Sequence, residues 1–182
     1  MKKRNLGFYL TLIACPLTLV SCGYSTSRLL PASYRTIYVE PFQNEIPITR
    51  EVSERTGLFT NVPELEEKVM KAVIDRFLFD GSLQVTSSPE KADLRLTGKL
   101  LDFYRQPLRR KDNDTVDEYR LNLSASLALR NRAGKLILEE PAFIADTTYF
   151  VTGPLAKTET ASVEELSTDF ARRVVEWVIE YW

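Results

Sequence analysis

One thiol and one group of cations carry most of the chemistry open to this 182-residue chain. Cys22 follows Leu19, Val20 and Ser21 at the end of an N-terminal apolar run. A small residue after such a run is where a secretory signal is cut, which would leave this thiol at the new N-terminus. Arg105, Arg109, Arg110 and Lys111 fall close together. Guanidinium groups grip phosphate through paired hydrogen bonds, so this set can hold an anion. Asp112, Asp114, Asp117 and Glu118 lie beside it and can equally balance it as a solvated hairpin. Glu66-Glu67 and Glu139-Glu140 are adjacent pairs with no neighbour that would set their pKa values apart, so they read as solvated faces. Ser124 and Ser126 alternate with apolar residues and lack the Gly-x-Ser-x-Gly elbow of a nucleophile. The chain has no His, which excludes Ser-His-Asp and Cys-His catalysis and the commonest zinc sites. The expectation is a non-enzymatic protein with no catalytic residue, no metal site and no cofactor.

The thiol is positioned by the N-terminus. Lys2, Lys3 and Arg4 precede an apolar stretch from Leu6 to Val20, fifteen residues long. A membrane-spanning helix needs about 20. A basic start, an apolar middle and a small residue before the cut are the parts of a secretory signal. The cut region resembles the lipobox of bacterial lipoprotein signals, with Leu19, Val20, Ser21 and Cys22 filling the pattern in order. That resemblance implies a diacylglycerol on the Cys22 sulfur, cleavage between Ser21 and Cys22, and an acylated N-terminus (palmitate is a usual acyl chain). Several chains together anchor a protein firmly where one does not. The expected organisation is a removed signal at 1–21, a lipidated tether at 22–35 and a single α+β domain at 36–182.

Without the signal, 182 − 21 = 161 residues remain, enough for one domain with a real core. The signal holds three of the 24 basic residues and none of the 25 acidic ones, so the remainder carries 24 − 3 = 21 against 25. A nucleic-acid binder would show the opposite excess. Cys15 lies in the signal and Cys22 is the lipid site, so no disulfide is expected.

The cations are positioned by strands. Thr36–Phe42 reads as an inner strand, with Ile37, Val39 and Pro41 on one face and Phe42 on the other, ending at Pro41. Gln43–Thr60 reads as a long loop. Asn61 is placed to cap a helix that runs to Asp80 and stops at Gly81, with Pro63 in its first turn and Leu65, Val69, Val73 and Phe77 on one face. Leu83–Ser87 is a short strand. Ala92–Tyr104 alternates, with Leu94, Leu96, Gly98 and Leu100 on one face. Arg105–Asp117 reads as a charged connection. Tyr119, Leu121, Leu123, Ala125, Leu127 and Leu129 then alternate with largely polar residues, a half-buried strand. Leu136–Phe150 is a further strand, interrupted near Pro141. Ser162 and Glu165 read as a capping box opening a last helix, whose stripe is Val163, Leu166, Phe170, Val174, Trp177 and Tyr181. The fold class follows: α+β, a two-layer sandwich with a mostly antiparallel sheet and both helices on one face.

Read together, the segments resemble the lipopolysaccharide-assembly lipoprotein family, LptE. Cys22-Gly23-Tyr24, the run Val39 to Asn44, Pro63-Glu64-Leu65-Glu66, Ala92 to Gly98, Tyr119-Arg120-Leu121 and Gly134-Lys135 carry the likeness in that order. The segment between Asn44 and Pro63 is longer than the family pattern. The resemblance implies a lipid-anchored protein on the periplasmic side of the outer membrane. It implies a protein that plugs the β-barrel LptD, helps it assemble and supports lipopolysaccharide insertion at the cell surface. Arg105, Arg109, Arg110 and Lys111 then become candidate contacts for the glycolipid's anionic inner region. An alternative is a periplasmic activator lipoprotein of a cell-wall synthase. The tether opposes it, since residues 23–35 span only roughly 45 Å when fully extended.

Overall fold

A computed structural model describes residues 31, 33–47, 62–112 and 114–182. The expected signal, the lipobox, most of the tether and most of the long loop lie outside these residues. The elements are β1 (Thr36–Val39), β2 (Gln43–Asn44), α1 (Leu65–Asp80), β3 (Gln84–Val85), β4 (Leu94–Arg110), β5 (Val116–Asn131), β6 (Leu136–Phe150) and α2 (Glu159–Glu180). They form one sheet of order β3-β1-β4-β5-β6, with β2 also pairing β4. The fold is α+β, and both helices cover one face of the sheet.

The sheet is mixed, because β1 pairs parallel with β3 and β4 while β4, β5 and β6 are antiparallel. The parallel pairing follows from connectivity: α1 crosses between β1 and β3, and a helical crossover returns the chain in the same direction. β1 and β2 lie along the same edge of β4, at Leu94–Leu96 and Lys99–Leu100. Between them the backbone leaves the ladder at Pro41, which has no N–H to give.

That break overturns the alternation expected for Pro41 and Phe42. Pro41 is exposed, and Phe42 turns inward and is buried. Its ring lies on Gly98, where a Cβ would come within 2.8 Å of it. Phe42 meets Phe170 edge-on at 6.5 Å, and Phe170 meets Phe143 at 5.2 Å. Gln43–Asn44 is strand rather than loop, and Asn44 Nδ2 donates to Glu66 Oε2 (3.0 Å), tying β2 to the start of α1.

The long strands hold their buried face through irregularities. Leu94, Leu96, Leu100 and Phe103 of β4 all point to the helices, and a register shift between Leu100 and Asp102 keeps Phe103 inward. On β5 the buried set is Leu121, Leu123, Ala125, Leu127 and Leu129. The interruption near Pro141 is a second shift, where Ala125 pairs Phe143 but Leu127 pairs Glu140.

Both helix starts differ from the sequence expectation. α1 begins at Leu65 behind Glu64, which adopts φ 58° without a side-chain cap, and Asn61, the expected cap, lies outside the described residues. α2 begins earlier than Ser162: Thr158 caps it by accepting from Ala161 N (3.2 Å), and Ser162 is buried in the first turns. Glu165 pairs with Lys157 at 2.7 Å instead of closing a box. The stripe of α2 buries Val163, Leu166, Phe170 and Val174 as expected, with Val175 and Val178 added. Trp177 packs against Phe143 at 6.3 Å, whereas Tyr181 is exposed.

Candidate functional site

The cations lie at the far end of the β4–β5 hairpin, and most of the expected connection is strand. β4 runs through Arg110 and β5 resumes at Val116, leaving a tight turn in which Lys111 N donates to Thr115 O (2.9 Å). Pro107 fits inside β4 because β1 and β2 pair only with its first half, so its missing N–H faces an edge. Asp114 takes the left-handed turn position at φ 62°, which a short polar side chain tolerates.

Arg105 is set apart from the other three. It points to the helix face, beside Tyr119 and Tyr149, whose rings stack at 5.9 Å. Its guanidinium sits 4.5 Å from the Tyr119 ring centroid and pairs with Glu159 in the first turn of α2. Burial works against the charge of Arg105, but Tyr149 and Glu159 outweigh it and raise its pKa further. Burial likewise raises the Tyr149 hydroxyl, against the opposing pull of Arg105. Arg105 therefore locks the hairpin to the start of α2, where a carboxylate is also favoured by the helix dipole.

Arg109, Arg110 and Lys111 are brought together at the tip, each beside an acid. Arg109 Nη2 donates to Glu118 Oε2 (2.9 Å), and its guanidinium lies 5.2 Å from the Phe150 ring. Arg110 Nη1 reaches Asp114 at 3.3 Å. Lys111 Nζ donates to Thr152 Oγ1 (2.7 Å) and lies 3.3 Å from Asp117. The Thr152 hydroxyl also bonds Asp117, and that bond together with Lys111 holds the Asp117 carboxyl below its usual range. All three cations are about half open to water, so an anion can compete for their free donors.

The tip is amphipathic. Leu108, Val151 and Leu155 are exposed around it, Leu155 at 71%. Phe150, Pro154, Leu155 and Lys157 line an open hollow of about 420 Å³ beside them. Sequence reasoning missed Glu159, Thr152 and the tyrosine pair, since nothing local marks contacts made 54 and 41 residues away.

The sheet face turned away from the helices is polar over most of its area. Thr97 and Lys99 of β4 and Arg120, Asn122, Ser124 and Ser126 of β5 lie on it, and Arg120 faces Asp146 of β6 at 3.7 Å. Among the described residues no group of three or more His, Cys, Asp or Glu is placed to hold a metal. No helix among them is long and apolar enough to cross a membrane.

The profile of the lipopolysaccharide-assembly family, LptE, matches residues 34–176. The chain belongs to this family. Its match takes in every strand of the sheet, the hairpin tip and both helices up to the last turn of α2. No curated protein matches the sequence significantly. Among solved structures, an uncharacterized lipoprotein B from Nitrosomonas europaea is similar at 11% identity and a TM-score of 0.53, over 84% of this chain and 85% of that one. A protein from Xanthomonas campestris is similar at 15% identity and 0.52, over 82% and 88%. A hypothetical protein from Chlamydia trachomatis is similar at 12% identity and 0.51, over 81% and 97%. At these identities the likeness is one of fold.

Proposed function

We propose that this member of the lipopolysaccharide-assembly family is an outer-membrane lipoprotein, anchored through Cys22 on the periplasmic side. Residues 1–21 are a removed signal, 22–35 a tether and 36–182 the working domain. The domain plugs the lumen of the LptD β-barrel, helps that barrel assemble and supports passage of lipopolysaccharide to the cell surface. The observation that carries this reading is the division of the sheet into two faces. Both helices close the apolar face, and the opposite face is polar, which suits the polar lumen of a barrel. The mechanism is complementarity of shape and charge, with no bond made or broken. Arg109, Arg110 and Lys111, beside exposed Leu108 and Leu155, form the part of the domain suited to an anionic, acylated glycolipid. Arg105 contributes by holding the hairpin in place.

The test is affinity capture of the tagged full-length protein from gently solubilised outer membranes, with partners identified by mass. A large β-barrel recovered in stoichiometric amount is the expected result. Recovery of a cell-wall synthase, or of the protein alone, would overturn the plug assignment.

A further inference from the structure

A second apolar set, half-buried at Tyr34 and Trp182 and exposed at Leu78, Phe79 and Tyr181, lies at the opposite end of the domain, where the chain enters β1. Tyr34 packs on Trp182 at 5.1 Å, and Trp182 meets Tyr181 at 5.3 Å. Trp182 Nε1 donates to Val178 O (3.0 Å), so the indole is held rather than free. Tyr181 is 54% exposed. The end of α1 reaches the same place, because Gln84 N, just beyond Gly81, donates to Arg35 O (2.8 Å). Leu78 and Phe79 in that last turn are exposed, Phe79 at 81%. The turn between β5 and β6 joins them: Arg132 donates to Lys91 O (2.9 Å) and Asp93 Oδ1 (3.0 Å), and Asp93 Oδ2 accepts from Arg35 N (3.0 Å). Arg35, Lys91, Arg132 and Lys135 are therefore exposed around this end.

Tyrosine and tryptophan have apolar bodies with one polar atom, which suits the headgroup level of a bilayer. Long basic side chains beside them can lie along the apolar layer and keep their charge in water. Asp80, Glu90 and Glu180 are exposed here too, so the end is not a polybasic patch. Its match is an uncharged interface approached through the aromatic and aliphatic residues. The chain's route supplies the partner. From Cys22 to Pro31 there are nine peptide steps, which reach at most roughly 32 Å. An acylated Cys22 thus keeps this end, and not the hairpin tip, beside the membrane.

We infer that this end of the domain projects from the periplasmic mouth of the barrel and rests on the adjoining bilayer surface, with Tyr34, Tyr181, Trp182, Leu78 and Phe79 at headgroup depth and the basic residues around them. The inference depends on the Cys22 anchor proposed above. The sequence has two tryptophans, and Trp177 lies against Phe143, so the fluorescence of each can be isolated. The full-length acylated protein, as Trp177→Phe and separately as Trp182→Phe, is reconstituted into phosphatidylcholine vesicles. The vesicle lipid carries bromine near the headgroup end of its acyl chains or carries none, and flotation is measured on the same samples. The expected result is flotation of both variants, with bromine lowering the emission of Trp177→Phe by about half and leaving Trp182→Phe nearly unchanged. Flotation with no loss of Trp182 emission would overturn the surface contact and leave the anchor intact. Equal quenching of both variants would overturn it as well, since it would report general lipid exposure. Failure to float would remove the anchor reading, and the surface contact with it.

Discussion

Replacing Gly98 with Ala tests how β1, β4 and α2 are joined. Gly98 has no positive φ, so its backbone accepts a side chain. The obstacle is Phe42: the new Cβ would stand 2.8, 2.8 and 2.9 Å from three atoms of its ring. Carbon atoms in contact prefer about 3.5–4.0 Å, so the ring must retreat by about 1 Å. It is buried, and Phe170 stands behind it with Phe143 beyond. Overpacking of this kind costs about 1–3 kcal/mol. Against it, loss of glycine's freedom in the unfolded chain returns about 0.4–1 kcal/mol. The net expectation is a loss of about 1–2 kcal/mol. At this chain length that lowers Tm by about 2–8 °C. Thermal unfolding of the purified full-length protein, followed by circular dichroism, measures it. The decisive control is the same change in a Phe42→Leu background. With the ring gone, Gly98→Ala should be neutral or stabilising by about 0.4–1 kcal/mol, giving a coupling of about 1 kcal/mol or more. An equal cost in both backgrounds would refute the assignment of Gly98 to the ring.

Other substitutions address the remaining contacts. Glu159→Ala leaves Arg105 partly buried without its carboxylate and should cost about 1–3 kcal/mol in urea unfolding. The loss should persist at high salt, where an open surface pair would be screened. Asp93→Asn weakens the clamp on the start of β1. Burial raises the Asp93 carboxyl, but its bonds to Arg35 and Thr36 with the charge of Arg132 outweigh that, so the folded pKa lies below the ordinary 3.8. A lowered folded pKa gives stability that is present above 3.8 and lost as pH falls through the folded value. The gap between wild type and Asp93→Asn, about 1–2 kcal/mol at neutral pH, should therefore shrink in acid, as denaturant titrations at several pH values will read. Replacing Arg109, Arg110 and Lys111 together by Gln should cost about 1–3 kcal/mol, most of it because the buried Glu118 keeps its charge without Arg109. Binding to immobilised lipopolysaccharide should fall about tenfold or more, and unchanged binding would exclude the tip as a contact.

Periodicity in the sequence settles much of this fold. Six apolar positions at period two placed β5, and the run at helical spacing from Val163 to Val174 placed α2, because burial of one face imposes those repeats. The order of segments was enough for the family, and the cations at the hairpin were visible as residues. What the sequence left open rests on contacts between residues far apart in the chain. Pro41 breaks β1, so Phe42 turns onto Gly98, and no local pattern encodes that partner. Thr158 rather than Ser162 caps α2, because several nearby residues can cap and packing of the first turn selects one. Arg105, Arg109, Arg110 and Lys111 look alike in sequence. Register shifts turn the first toward Glu159 and the helices, while the strand's exit past their cover leaves the others in water. Local physics thus determines which segments form and which face is apolar, whereas the tertiary arrangement decides which charges are used inside the fold and which remain for a ligand.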